Sequence, residues 1–309
     1  MASNLEKQLS HRAKRTGKVV PLLEDLMTKP LDIESNADVE FIRMLVARQK
    51  QREEMRSLKG HYSPSALASC LRQVYFSRHW KELGLKRKVT TQVQPNFYFL
   101  TGNWLHLKWQ WACWKLDRAV DDDVFQLWGV EIPVTSKHKD HGGTLDVLAA
   151  VNGEYTVLDF KGVHVRAFSD VLVGKFNHAW GVQLADYIML ANTDKTLKIP
   201  RIEKSILIFE NKGGPTPKNP IALHEVEINL KDYLPEIRYR LKELRSHEES
   251  KTIPEAECQT TKGVQFQSCP FRAFCRAEVK DTEIRNAQGR KTEIPARARV
   301  NRSRRDKSR

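Results

Sequence analysis

Up to about residue 120 the apolar positions recur at helical spacing, and beyond it they gather into short runs or alternate. From Ser35 to Leu58, Val39, Ile42, Leu45 and Val46 form a stripe with charges between them, which predicts an amphipathic helix. Ser63 followed by Pro64 is a helix start, and this second helix is expected to carry Cys70 through Tyr75 toward Trp80. The Trp- and Leu-rich stretch from Phe97 to Leu116 predicts a third, more buried helix. Residues 1–33 show no sustained period and read as a basic flexible arm.

Residues 125–134, 143–151 and 154–161 then predict three strands, and Asn152-Gly153 between the last two has the residues of a tight hairpin turn. A helix from Lys175 to Asn192 follows, with Phe176, Trp180, Leu184, Tyr187, Ile188 and Ala191 on one face. Strands at 203–209 and 222–228 flank the loop NKGGPTPKNP, which lacks the order of a phosphate loop, and a helix from Leu230 to His247 precedes a cysteine-rich end. Helices, three strands, a helix, two strands and a helix describe one α/β domain over 34–276 with a helical preface, ahead of a basic, disordered tail at 277–309.

Of 309 residues, 40% are apolar, enough to build one large core or two small ones. No apolar run reaches about 18 residues and the first 30 are polar and basic, so neither a membrane span nor a secretory leader is expected, and the location should be intracellular, cytoplasmic or nucleoid-associated. The net charge of +14 is concentrated at the ends: residues 1–20 hold five basic and one acidic residue, and residues 276–309 twelve and five. Such tails contact nucleic acid or an acidic partner by charge alone, a role compatible with plain solvated ends.

The segment GGTLDVLAAVNGEYTVLDFKG places Asp146 on the first strand of the hairpin and Asp159 and Lys161 on the second. Residues two apart on a strand share a face. Carboxylates converging there repel unless a divalent cation compensates them, and hard oxygen donors suit Mg²⁺ or Mn²⁺. A neighbouring ammonium then orients a water or offsets phosphate charge. An isolated D-x-K is ordinarily a solvated hairpin, but Asp159 sits inside the apolar run TVLDF, where an uncompensated charge is costly.

With these motifs the chain resembles nucleases of the PD-(D/E)XK superfamily, within the RecB-like branch that includes CRISPR-adaptation iron–sulfur exonucleases and the nuclease domains of AddAB helicase–nucleases. The resemblance covers about residues 60–276 and rests on four motifs in order: Gly102 to His106 in TGNWLHLKW, GTLD ending in Asp146, LDFK with Asp159 and Lys161, and Gln183 to Tyr187 in QLADY. Leu145 stands where the superfamily name has Pro. The resemblance implies a restriction-endonuclease-like core, a mixed central β-sheet flanked by helices. It also implies that His106, Asp146, Asp159 and the carbonyl of Phe160 bind metal, that Lys161 positions water, and that Gln183 and Tyr187 order the site or the DNA. Glu131, one strand earlier, is a candidate supporting acid.

Cys258, Cys269 and Cys275 lie close together near the end, with Cys70 far upstream. In iron–sulfur members of the branch one cysteine precedes the nuclease motifs and three follow, clamping the two ends of the domain, and SPSALASCLRQVYF and CPFRAFC are similar to the family's flanking segments. Four thiolates suit a 4Fe–4S cluster; zinc accepts the same set, and ordinary buried thiols are the third alternative. Ten residues separate Cys258 from Cys269, where the family has two. Cys113, in WQWACWKL, is expected in the core.

The expectation is therefore a metal-dependent DNA exonuclease in end processing, recombination or repair, with a phage source among the candidates, acting on single-stranded DNA or free ends. No G-x-x-x-x-G-K-[ST] occurs, so unwinding is expected from a helicase or recombination protein in trans. The competing readings are a catalytically inactive nucleic-acid-binding scaffold of the same fold and a redox-sensing cysteine-metal protein.

Overall fold

Strand β2 (Gly142–Val151) and strand β3 (Glu154–Val163) are buried along most of their length. Their apolar runs are nearly continuous because both faces of these central strands are covered. They pair antiparallel, with Val151 opposite Glu154 across the turn, and Asn152 and Gly153 have φ of 51° and 76°. These are the left-handed angles of the turn that matches strand twist. The computed structural model describes residues 17–28, 39–47, 62–85, 93–137, 140–214, 222–262 and 264–292.

β1 (Phe125–Thr135) adds antiparallel to β2, β4 (Lys204–Asn211) adds parallel to β3, and β5 (Leu223–Asn229) closes the order β1-β2-β3-β4-β5 antiparallel to β4. A parallel step needs a crossover. Here it consists of two helices, at Val165–Leu172 and His178–Thr193, between β3 and β4. The mixed sheet flanked by helices is the α/β architecture expected of a restriction-endonuclease-like core.

Contacts divide the chain into two compact units, one of Met1–Ser69 with Thr91–Lys242 and one of Cys70–Thr90 with Glu243–Arg309. The helices, in chain order, are α1 (Val20–Thr28), α2 (39–47), α3 (Pro64–Leu67), α4 (Leu71–His79), α5 (Val93–Leu116), α6 (Val165–Leu172), α7 (His178–Thr193), α8 (Leu230–Ser250), α9 (Val264–Ser268) and α10 (Arg272–Thr292). In the first unit, Leu105, Trp109, Ala112, Cys113 and Leu116 of α5 join Val147, Leu158, Phe160 and Ile208 in one core. Phe209, next along β4, instead meets Phe176 and Trp180, the latter on α7, at ring distances of 6.1 and 5.6 Å. Successive strand residues thus serve opposite faces of the sheet.

Several expected boundaries shift for identifiable reasons. Residues 20–28, expected within the flexible arm, are helical, and Val19, Val20, Leu23 and Leu26 are buried. That apolar repeat is too short to register as a sustained period. The Glu225 carboxylate accepts the backbone N–H groups of Lys18, Val19 (2.9 Å) and Val20 (2.8 Å), satisfying donors that a helix start leaves open. On α2 the buried residue is Phe41, 5.9 Å from the Trp114 ring, while Val39, Ile42 and Val46 of the expected stripe are exposed. The remainder of that expected helix, 35–38 and 48–58, lies outside the described residues.

Ser63 caps α3 by accepting from Ala66 N, but the helix stops at Leu67, and a second one begins after Cys70. Ser69 Oγ donates back to Ser65 O, a competing bond that favours ending the first helix there. The expected helix at 175–192 begins instead at His178, where Asn177 Oδ1 accepts from Ala179 N, and the short α6 precedes it unforeseen. In the second unit α10 continues to Thr292, so 277–292, expected as disordered tail, are helical, with Val279 in an apolar cluster with Tyr75, Phe76, Phe266 and Phe271. No helix among the described residues is long and apolar enough to cross a membrane.

The Glu225 cap generates a stability prediction. Glu225→Ala should lower the unfolding free energy by about 1 kcal/mol, the usual scale for a lost helix cap, and Glu225→Gln by less, because an amide oxygen still accepts. Urea unfolding checks this; equal stability of the Ala variant and the wild type would show that the carboxylate does not hold α1.

Candidate functional site

The site is assembled where β2 begins and β3 ends. Gly143 admits a close approach there: a Cβ at this position would stand 2.8 Å from Tyr187 Cε1 and 2.9 Å from Pro64 Cδ. Pairing of Val147 with Leu158 brings the following stretch of β3 alongside Asp146, and Phe160 N donates to Asp146 Oδ2 at 3.4 Å. His106 on α5 meets the same oxygen through Nδ1 at 2.7 Å. Lys161 Nζ lies 2.7 Å from Asp159 Oδ2 and donates to Gln183 Oε1 on α7 at 3.4 Å. Tyr187, one turn after Gln183, is hydrogen-bonded to it. The structure therefore brings together His106, Asp146, Asp159, Lys161, Gln183 and Tyr187, from one strand pair and two helices.

Burial opposes every charge in this cluster, and the neighbours decide the outcome. It pushes Asp159, 3% exposed, above the ordinary carboxylate range; Lys161 opposes the rise and the charge of Asp146 adds to it. Asp146 is pushed the same way by burial, but the hydrogen bond and charge of His106, with Lys161 and Phe160 N–H, hold it below that range. Burial lowers His106, yet Asp146 outweighs it and the imidazole ends above its usual value. Lys161 is likewise lowered by burial and raised further by Asp159 and Asp146, so it remains an ammonium. Burial and both carboxylates push Tyr187 upward, leaving a neutral hydroxyl. The two acids are thus driven in opposite directions, the pattern that separates chemical roles.

One imidazole, two carboxylates and the Phe160 carbonyl are donors suited to a small hard cation. Asp159 Oδ2 is buried and, among the described residues, accepts no well-directed hydrogen bond despite the nearby Lys161 ammonium, so a buried acceptor is available to a further positive partner. Among the described residues no group of three or more His, Cys, Asp or Glu is gathered so as to hold a metal ion. Each carboxylate is instead drawn to its own partner, Asp146 to the His106 imidazole and Asp159 to the Lys161 ammonium. The donor chemistry fits a divalent cation, which these residues would hold in place of their present partners.

Gln110 is a site residue that the motifs did not reveal. It is 2% exposed, lies one turn after His106 on α5, and donates Nε2 to Glu131 Oε1 at 2.7 Å and to Asp146 O at 3.4 Å. Its spacing of four from His106 was the available signal. Glu131, with φ of 49°, therefore connects to the backbone of Asp146 through this amide. On α5 the Trp109 ring stacks on Phe160 with centroids 6.1 Å apart, and its Nε1 donates to Glu210 Oε2 at 2.5 Å, so the strand segment carrying Asp159 and Lys161 is braced from the opposite face.

In the second unit Cys70, Cys258, Cys269 and Cys275 line one small cavity with Phe76, Phe266 and Phe271; none of the four is in a disulfide, and they too are not gathered so as to hold a metal ion among the described residues. Cys258, whose spacing departs from the family pattern, lines it with the others. Arg72, two residues after Cys70, donates Nε to Pro254 O (2.5 Å), pairs with Glu278 (2.5 Å) and reaches Cys275 Sγ at 3.9 Å. Burial raises the Cys258 thiol to about 11, with Cys70, Cys269 and Cys275 adding to the effect, and Cys269 and Cys275 are raised by burial as well. Cys113 lies apart from them in the core of the first unit.

The His106–Asp146 pair generates a pH prediction. A raised imidazole contributes stability fully below its unfolded value of about 6.5 and loses it as pH rises through the folded value; the lowered Asp146 contributes above about 3.9 and loses it as pH falls. In chelator, the melting temperature of His106→Gln should therefore fall short of wild type by more at about pH 5.5 than at about pH 8.5. An equal gap at both would mean that this pair does not titrate as an ion pair.

Residues 47–276 match the family model of the PD-(D/E)XK nuclease superfamily. Among solved structures, the crystal structure of SSO0001 covers 74% of this chain and 93% of its own at 18% identity and a TM-score of 0.42. An alkaline exonuclease (LHK-Exo) from Laribacter hongkongensis covers 64% and 93% at 12% identity and a TM-score of 0.41. No significant match occurs among curated proteins. The family match takes in the helix, the hairpin and the following helix that build the site, and the chain belongs to the PD-(D/E)XK nuclease superfamily.

Proposed function

We propose that this nuclease is a Mg²⁺- or Mn²⁺-dependent deoxyribonuclease of the RecB-like branch, an exonuclease that acts on single-stranded DNA or free ends in end processing, recombination or repair. The observation that carries the proposal is the meeting of His106 with Asp146 and of Asp159 with Lys161 and Gln183 at the joint of β2 and β3. A helicase or recombination protein in trans is the partner this reading calls for, and the basic end after Thr292, with seven basic and two acidic residues over 293–309, supplies salt-sensitive affinity for phosphate.

His106, Asp146, Asp159 and the Phe160 carbonyl would hold the divalent cation. When bound, such an ion offsets phosphate charge and lowers the pKa of water. Lys161, kept protonated by two carboxylates, is no general base. Its ammonium orients the attacking water and faces the negative charge that develops as the new P–O bond forms and the bond to the leaving 3′ oxygen breaks. Gln183 fixes the Lys161 side chain through its Oε1. Tyr187, a neutral half-buried hydroxyl beside both acids, closes the floor of the site against Gly143. Gln110 and Glu131 hold the Asp146 backbone in place.

For the second unit the same reading assigns Cys70, Cys258, Cys269 and Cys275 to a 4Fe–4S cluster, with zinc as the alternative occupant. Their common cavity supports it. Thiolates suit such a centre and leave no hard oxygen donors for hydrolysis, so its role is structural.

Two experiments test these assignments. End-labelled single- and double-stranded DNA should be degraded with Mg²⁺ or Mn²⁺ and spared in EDTA. Asp159→Ala and Lys161→Ala should each lower the rate at least about 100-fold, the scale of a lost electrostatic stabiliser, while DNA binding persists; wild-type rates in both would remove the hydrolytic role from this hairpin. For the cysteines, anaerobically purified protein should contain iron and absorb broadly near about 400 nm, or contain zinc without colour. Cys70→Ser should lose metal and melt earlier, whereas Cys113→Ser should keep the metal; full metal occupancy in Cys70→Ser would exclude the four-cysteine centre.

A further inference from the structure

His141 and Asp186 are both fully buried, 0% exposed, and His141 Nε2 donates to Asp186 Oδ2 at 2.7 Å. His141 stands immediately before β2, where its segment is held from two sides. Ser136 N donates to His141 O at 2.7 Å, and Gly142 N donates to Tyr62 O at 2.9 Å. Asp186 stands on α7 between Gln183 and Tyr187. The bond thus joins the entry of the strand that carries Asp146 to the helix that carries two other site residues. Directly beyond it, Tyr187 packs against Gly143 so closely that a Cβ there would be excluded.

Stability alone gives a poor account of this pair. His141 Nδ1 and Asp186 Oδ1 are buried and have no hydrogen-bond partner among the described residues. Unpaired buried polar atoms are costly, and an apolar pair of similar volume would avoid the cost. What such an apolar pair lacks is direction. A single short bond fixes how far α7 slides and turns against the start of β2, whereas packed apolar side chains accommodate small shifts.

We infer that the His141–Asp186 bond is a positioning device that sets α7 against β2, so that Gln183 meets Lys161 and Tyr187 meets Gly143. This rests on the nuclease reading, in which Lys161 and Gln183 serve hydrolysis. Neither His141 nor Asp186 touches the reacting atoms; they act through Gln183 and Tyr187. Misplacement of a positioned group by about 1 Å can lower a rate roughly 100-fold, which sets the expected effect.

The test compares wild type, Asp186→Asn, Asp186→Leu, Gln183→Ala and the double variant Asp186→Leu/Gln183→Ala, all as full chains. Asp186→Asn keeps an oxygen that accepts from His141 Nε2 and should retain kcat within about threefold, while Asp186→Leu loses roughly 100-fold in kcat with KM for DNA nearly unchanged. If the pair acts through Gln183, the double variant is no slower than the slower single one, because the same contact is lost once. Losses that multiply, or a folded Asp186→Leu with near-wild-type kcat, would overturn the inference. Should Asp186→Leu fail to fold, His141→Asn replaces it in the same comparison. A second measurement is independent of activity: amide hydrogen exchange should rise together over 142–146 and 183–187 in the apolar variant but not in Asp186→Asn. Wild type that cleaves no DNA defeats the nuclease reading and leaves that measurement to decide the positioning role; exchange raised only next to residue 186 refutes it.

Discussion

Two carboxylates placed side by side on buried strands repel unless partners beside them offset their charge, and part of the first unit is arranged to supply those partners. Asp146 takes the imidazole of His106 from α5, and Asp159 takes the ammonium of Lys161 from its own strand. The elements that carry these partners are in turn held by uncharged groups. Gln110 ties α5 to Glu131 and to the Asp146 backbone, Trp109 lies on Phe160, and Gln183 receives Lys161. Removing one partner would leave the other charge buried and unpaired, a more expensive state than never having had the pair.

This arrangement accounts for how the site avoids collapsing into a conventional core. A continuous apolar run such as TVLDF would be satisfied by an apolar residue at 159, and the structure places a nearly inaccessible acid there. The neighbouring Asp146 and Lys161 pull its ionisation in opposite directions. The site is therefore sensitive to any added positive charge, because such a charge would relieve the repulsion between the two acids and the desolvation of Asp159 at once. A site of this kind gains more from a divalent ion than an exposed pair of acids would, since water already screens the exposed pair.

Much of the sheet was legible because its signals are local. The alternation and apolar runs of β1 to β3, the Asn152-Gly153 turn and the i, i+4 spacing of Gln183 and Tyr187 all act over a few residues, and they were read to within a few positions. The four motifs likewise lay on the elements that meet. What could not be read depended on distant partners. α1 is fastened by Glu225, two hundred residues away in sequence, and α2 turns Phe41 rather than Ile42 inward because Trp114 receives it. The helix expected from Ser63 breaks where Ser69 bonds backward, a competition among nearby bonds that apolar periodicity does not register. His141 and Gln110 carried no motif, and each acquires a role only from the acid it meets.

The Glu225 carboxylate has one more consequence. β5 is the last strand of the sheet, and a strand in that place offers unpaired backbone groups on which another chain can build. Here an acid of that strand draws in the amides of residues 18–20, and α1 packs against the same strand. Charged Glu225 and Glu227 also break its apolar character. The fastening of residues 18–20 to the last strand thus guards part of a border that would otherwise serve as a template for aggregation.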